Sequence, residues 1–183
     1  MILSLTSCCR KKTKKIEPQK AKRTQRRDKI SKKKITLKKP RIKKEEKQMI
    51  EKTFAIIKPD AVSKKNSGKI IDIIEDNSFN IVRMEKVTLT KDKAEEFYAV
   101  HKDKPFFGDV IEFMTSGPII VIALEKENAV TDWRNLMGAT DSKKAAEGTI
   151  RNQFGTDIML NATHGSDSAE NAKKELSLFF PNL

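Results

Sequence analysis

Thr53-Phe54-Ala55-Ile56-Ile57-Lys58-Pro59-Asp60 is the stretch from which the rest of the chain can be read. Its β-branched and aromatic run predicts a buried first strand, and proline ends the ladder at Lys58-Pro59-Asp60. After a polar turn closing at Gly68, Ile70, Ile71, Ile73 and Ile74 form an apolar stripe at helical spacing, ended by Asn77-Ser78. Residues 79–89 return as a strand with apolar positions Ile81, Met84, Val87 and Leu89. A second helix follows Thr90, with Ala94, Phe97, Tyr98 and His101 on one face, and Lys104-Pro105 breaks it. Val110, Ile111, Phe113 and Met114 predict a short helix ending at Ser116-Gly117-Pro118. The unbroken apolar run over residues 119–124 suits a central strand. Ala129, Val130, Trp133, Leu136 and Met137 mark a further amphipathic helix, stopped by Gly138. Residues 143–154 carry one more short helix, and a ragged strand or loop over 158–163 leads to His164. Asp167 or Ser168 caps a last helix with apolar positions Ala169, Ala172, Leu176 and Phe179. Two strands, each followed by a helix, with a return strand inserted, give a ferredoxin-like βαββαβ. The expected fold is α/β (α+β), an antiparallel sheet covered by helices on one side.

Charge divides the chain in two. Residues 1–48 hold 20 Lys+Arg against 4 Asp+Glu, a net of +16, whereas residues 49–183 hold 18 against 21, a net of −3. The basic segment includes Arg10-Lys11-Lys12, Arg26-Arg27, Lys32-Lys33-Lys34 and Lys43-Lys44, which repel one another, so disorder is expected there. No aromatic residue interrupts these runs, so contact with nucleic acid or an anionic surface would proceed by counterion release and be blind to base sequence. Met49-Ile50-Glu51-Lys52 lies where the composition changes. Two readings of residues 1–48 are open, a real basic extension and a gene start placed too far upstream. Residues 49–183 form one domain of ordinary size.

Leu5-Thr6-Ser7-Cys8 has the shape of a lipoprotein cleavage box, but no basic n-region precedes it and its apolar run falls short of the roughly 7–15 residues of a secretory h-region. Cys8 and Cys9 are the only cysteines, so residues 49–183 have neither a disulfide framework nor a thiolate metal site. No apolar run approaches the roughly 18 residues of a membrane span, and a cytoplasmic location is the expectation.

Chemistry concentrates at Asn161-Ala162-Thr163-His164-Gly165-Ser166-Asp167-Ser168, which places one of two histidines among small and hydroxyl residues at the mouth of a predicted helix. Hydroxyls and backbone N–H groups there suit anionic oxygens. Elsewhere lie Lys58 at the end of the first strand, Arg134 beside Trp133, Thr140 after Gly138, and Arg151 after Gly148-Thr149. Arginine forks and a lysine ammonium neutralise transferring phosphoryl oxygens. Glu175, about two helical turns past Ser168, reaches back toward His164. Taken singly, each of these is ordinary: a solvated helix arginine, a turn threonine, a strand-end lysine, half of a surface ion pair. No Walker loop, GxGxxG or HExxH accounts for them as a set.

Ile57-Lys58-Pro59-Asp60, Lys104-Pro105-Phe106-Phe107, Ser116-Gly117-Pro118, Met137-Gly138-Ala139-Thr140, Gly148-Thr149-Ile150-Arg151 and Asn161 to Ser168 closely resemble, in order and at family spacing, the motifs of nucleoside diphosphate kinases. The resemblance runs from about residue 50 to 180. It implies a ping-pong exchange in which a nucleoside triphosphate gives its γ-phosphate to His164 and an acceptor diphosphate collects it, with broad base and sugar specificity. By the same resemblance Phe106 stacks on the base over Val110, and Lys58 and Asn161 hold the ribose hydroxyls, Lys58 also nearing the transferring phosphate. Tyr98 sits close to both. Arg134, Thr140 and Arg151 clamp phosphates bridged by Mg2+ that the protein does not ligate directly, and Ser166 and Glu175 orient the imidazole.

Three positions depart from the family pattern: Ala61 for a common glycine, and Ser142 and Glu147 for common prolines. The last two leave loop rigidity and subunit packing open. The short C-terminus after the last helix resembles bacterial members, and a homo-oligomer, tetramer or hexamer, is implied. The alternative to an active kinase is a nucleotide-binding protein tethered to nucleic acid or membrane by its basic segment. A degenerate relative without turnover fits poorly, because His164, Lys58, Arg134, Arg151, Thr140 and Asn161 are all intact.

Overall fold

β1 (Ile50–Ile57) lies inside the sheet and is hydrogen-bonded on both sides. In the computed structural model, which describes residues 50–183, it pairs antiparallel with β3 (Pro118–Glu127), from Ile50 opposite Glu127 to Ile57 opposite Ile120. Its other side pairs antiparallel with β4 (Thr163–Gly165), placing His164 opposite Ile56. β2 (Asn80–Thr88) joins the far side of β3, and the order is β2-β3-β1-β4. This is the expected ferredoxin-like βαββαβ order with every neighbour antiparallel. What was expected of residues 1–48 and of Met49 lies outside the described residues.

Helices cover both faces of the sheet, not one. Ala55 and Ile57 point into a core with residues of α1 (Pro59–Ser63), α2 (Ser67–Asp76), α5 (Ala129–Met137) and α6 (Ile150–Phe154). Phe54 and Ile56 point the other way, into a core with residues of α3 (Lys91–Phe97), α4 (Phe107–Thr115) and α7 (Ala169–Phe179). The α3–α4 pair is inserted between β2 and β3, and α7 follows β4, which supplies the second layer. The unbroken burial of Phe54 to Ile57 and Ile119 to Leu124 requires it, because a half-covered strand would alternate.

Several local expectations shift. The polar turn after β1 holds the one-turn helix α1, since Pro59 suits a first helical position as well as a strand end. Met84 is 44% exposed even though a bulge between Ile81 and Arg83 brings it opposite Ile122, onto the face of Ile81 on the edge strand. His101 leaves the buried face of α3, which ends at Phe97 and passes through the 3-10 turn Ala99–His101. Thr90 caps α3 by accepting from the N–H of Lys93. Ser168, not Asp167, caps α7, its hydroxyl accepting from the N–H of Asn171 at 3.2 Å. Asp167 instead accepts from the Asn171 side chain. His164 sits within β4, five residues before the start of α7, rather than at a helix mouth.

The loop that carries Ser142 in place of a proline is tied down by other means. Ser142 is buried, and both its N–H and its hydroxyl donate to the carbonyl of Asp157, at 3.4 and 2.9 Å. Proline could donate neither. Ser142→Ala removes the hydroxyl bond and is expected to cost about 1 kcal/mol, read as a fall of a few degrees in Tm. An unchanged Tm would show that this bond does not hold the loop.

Candidate active site

His164 reaches the cleft from the middle of β4, on the face it shares with Phe54. Aromatic edges box the imidazole: Phe97 at 5.1 Å between ring centroids, Phe54 and Tyr98 at 6.4 Å each. Nε2 lies 3.2 Å from Glu175 Oε1. Glu175 Oε2 in turn accepts from the Ser166 hydroxyl at 2.5 Å, and Ser166 Oγ accepts from the N–H of Phe54 at 3.3 Å. A carboxylate partner assigns the ring proton to Nε2, so Nδ1 carries the lone pair. Gly165 makes this placement feasible. The Trp133 indole N–H donates to the His164 carbonyl at 3.2 Å, and a Cβ on Gly165 would overlap that indole and Met137.

Lys58, at the end of β1, donates its ammonium to Asn161 Oδ1 at 2.6 Å and lies 5.9 Å from the Phe113 ring. Burial first, then the Arg151 guanidinium, lowers its pKa to about 8, against the opposing pull of Asp60 and Asp157. Asn161 uses its amide N–H groups on the carbonyls of Thr140 and Ile158, both at 2.9 Å. Arg151 donates Nη1 to the Gly138 carbonyl at 3.0 Å and Nη2 to that of Thr163 at 3.1 Å, which ties the end of α5 to β4. Burial, then Arg134, lowers its pKa to about 10. Burial and then Glu175 push the Tyr98 phenol up, which keeps it neutral. Asp157 Oδ1 accepts from the N–H groups of Met159 and Leu160, both at 2.8 Å, and these bonds hold the carboxyl below its usual range.

One cleft of about 760 Å³ collects these groups. Lys58, Tyr98, Phe106, Val110, Arg134, Thr140, Arg151, Asn161, His164 and Glu175 all line it, and Ser166 lies behind it, fully buried. Phe106 stands at the mouth, 44% exposed and 5.9 Å from the His101 ring. The arrangement suits a ligand with a flat ring at one end and a polyanion at the other, the anionic end facing a histidine. Among the described residues no group of three or more His, Cys, Asp or Glu is placed to hold a metal. Nor, among them, is any helix long and apolar enough to cross a membrane.

The sequence reading gave no site role to Phe97, Phe113, Asp60 or Asp157. Phe97 was legible only as part of an apolar face. The two aspartates bind backbone groups, and only the place of Asp60 inside Lys-Pro-Asp hinted at a role.

Residues 51–183 match the family model for nucleoside diphosphate kinase. The nucleoside diphosphate kinase of Citrifermentans bemidjiense is 54% identical over 134 residues, covering 73% of this chain and 98% of its own. That of Nitratiruptor sp. is 56% identical over 131 residues, covering 72% and 96%. Among solved structures, the nucleoside diphosphate kinase of Aquifex aeolicus superposes with a TM-score of 0.71 at 44% identity, covering 72% of this chain and 96% of that one. The Halobacterium salinarum enzyme, in complex with CDP, gives 0.71 at 38% identity, covering 73% and 90%. Matched by the family model over residues 51–183 and by these relatives along nearly their whole length, the chain belongs to the nucleoside diphosphate kinase family.

Proposed function

We propose that this protein moves the γ-phosphate of a nucleoside triphosphate to a nucleoside diphosphate through a phosphohistidine on His164. The observation that carries this reading is the chain Ser166–Glu175–His164, which occupies Nε2 and leaves the Nδ1 lone pair as nucleophile. Nδ1 attacks the γ-phosphorus, the new N–P bond forms as the bond to the β-phosphate oxygen breaks, and that oxygen keeps the electron pair. Glu175 stabilises the positive charge that the imidazole gains. The acceptor diphosphate then reverses the step from the same cleft.

Phe106 over Val110 stacks on the base by shape, which supports broad base specificity. Lys58 and Asn161 take the ribose hydroxyls, with Lys58 also near the moving phosphate, and Tyr98 closes in beside them. Arg134, Thr140 and Arg151 hold the phosphates. Mg2+ bound to the nucleotide's own oxygens would neutralise charge between the phosphates. Residues 49–183 form the kinase domain and residues 1–48 a separate basic extension, a division supported by their opposite net charges. Val82 and Met84, exposed on the edge strand β2, support assembly as a homo-oligomer, tetramer or hexamer. Nucleotide substrates point to the cytoplasm.

Ping-pong exchange is tested by initial rates with ATP and GDP varied together. Parallel double-reciprocal lines are expected, and intersecting lines would contradict a covalent intermediate. Lys58 is charged below its pKa of about 8 and neutral above it. kcat/KM, which reports the free enzyme, should therefore decline as pH rises through about 8, and Lys58→Arg should move that limb upward. A flat profile to pH 10 would remove Lys58 from phosphate contact.

A further inference from the structure

We infer that Asp60 is a positioning residue whose carboxylate locks the left-handed turn at Ala162, setting Asn161 on one side of it and His164 on the other. The inference rests on the proposed role of His164. Ala162 is fully buried with φ 65°, a conformation an L-residue keeps only when its surroundings impose it. Both of its backbone groups are held by the segment after β1. Its N–H donates to Asp60 Oδ2 at 3.0 Å, and its carbonyl accepts from the N–H of Lys58 at 2.9 Å.

The turn has chemistry on both flanks. Asn161 precedes it and carries the Lys58 ammonium at 2.6 Å. Thr163 and His164 follow it and enter the ladder opposite Ile57 and Ile56. A relaxed, extended Ala162 would rotate Asn161 relative to that ladder, so the ammonium and the imidazole could not both face one phosphate. β4 pairs with β1 through three residues only, and the turn itself is closed by the N–H of Thr163, which donates to the carbonyl of Asn161 at 2.7 Å.

An amide could accept the Ala162 N–H, yet the group here is an acid. Asp60 is 7% exposed, and its Oδ1 is buried without a hydrogen-bond partner. The compensation is Lys58: Arg151 opposes its charge, while Asp60 and Asp157 support it. Asp60 thus holds the turn through one oxygen, and its negative charge favours the ammonium form of Lys58.

The test measures single-turnover labelling of the full chain by [γ-32P]ATP across pH, with thermal melting alongside. Wild type, D60N, D60A and D60A combined with A162G are compared. D60A should slow labelling roughly 10- to 100-fold, the scale of a misplaced reacting group. A162G should return much of that rate, because glycine adopts a positive φ without a clamp. D60N keeps the shape but not the charge, and its alkaline limb should move toward neutral pH. A role in folding alone would lower Tm without moving that limb. D60A labelling at the wild-type rate, or failing to recover with A162G, would overturn the inference. Should D60A not fold, an unmoved limb in D60N would overturn it instead. Wild type taking no label would overturn the reading of His164 itself, a result distinct from either.

Discussion

Replacing His164 by alanine is expected to lower phosphate transfer by roughly 10^4-fold or more, the scale on which covalent catalysis fails when its nucleophile is removed. Nucleotide affinity should change little, because Phe106, Lys58, Arg134 and Arg151 reach the cleft from other elements. The fold should tolerate the change. His164 is only partly buried, its backbone pairing with Ile56 remains, and Glu175 keeps the Ser166 hydroxyl. Transfer assays beside equilibrium nucleotide binding separate the two effects. A variant that binds and still transfers within tenfold of wild type would contradict a histidine nucleophile.

Arg151→Lys is expected to produce the second largest loss. The Arg151 guanidinium bridges the carbonyls of Gly138 and Thr163, and its remaining face lines the cleft. A lysine ammonium is a point charge without the planar fork, so it cannot span both carbonyls and meet a phosphate. Either the buried Thr163 carbonyl or the part-buried Gly138 carbonyl would lose its partner, and the phosphate would lose a paired donor. kcat/KM should fall roughly 10²- to 10³-fold, as when one preorganised donor is removed. The comparison belongs at a temperature where both proteins are folded. A loss that disappears once Tm is matched would assign Arg151 to structure alone.

Much of the architecture is legible in two apolar runs. The unbroken burial of residues 54–57 and 119–124 belongs to the two inner strands, and helical stripes place α2, α5 and α7. The same runs held the information that both faces are covered, because an unbroken apolar strand leaves no face for water. β4 was harder. Thr163-His164-Gly165 has no strand signature, and only its pairing with β1 makes it one, so a histidine expected at a helix mouth lies within a strand. The site residues carried by motifs converge on one cleft. Asp60, Asp157 and the hydroxyl of Ser142 act through side-chain to backbone bonds, one of them spanning 102 positions, and such bonds leave no periodic trace.

In this mechanism phosphate rests on His164 between donor and acceptor. The most direct measurement incubates wild type and His164→Ala, each with and without residues 1–48, with [γ-32P]ATP, denatures the protein and tests the stability of any label. An acid-labile, base-stable label on both forms carrying His164, absent from both alanine variants and discharged onto added GDP, is the predicted result. Label that persists on the alanine variants, or wild-type transfer with no labelled protein, would contradict it.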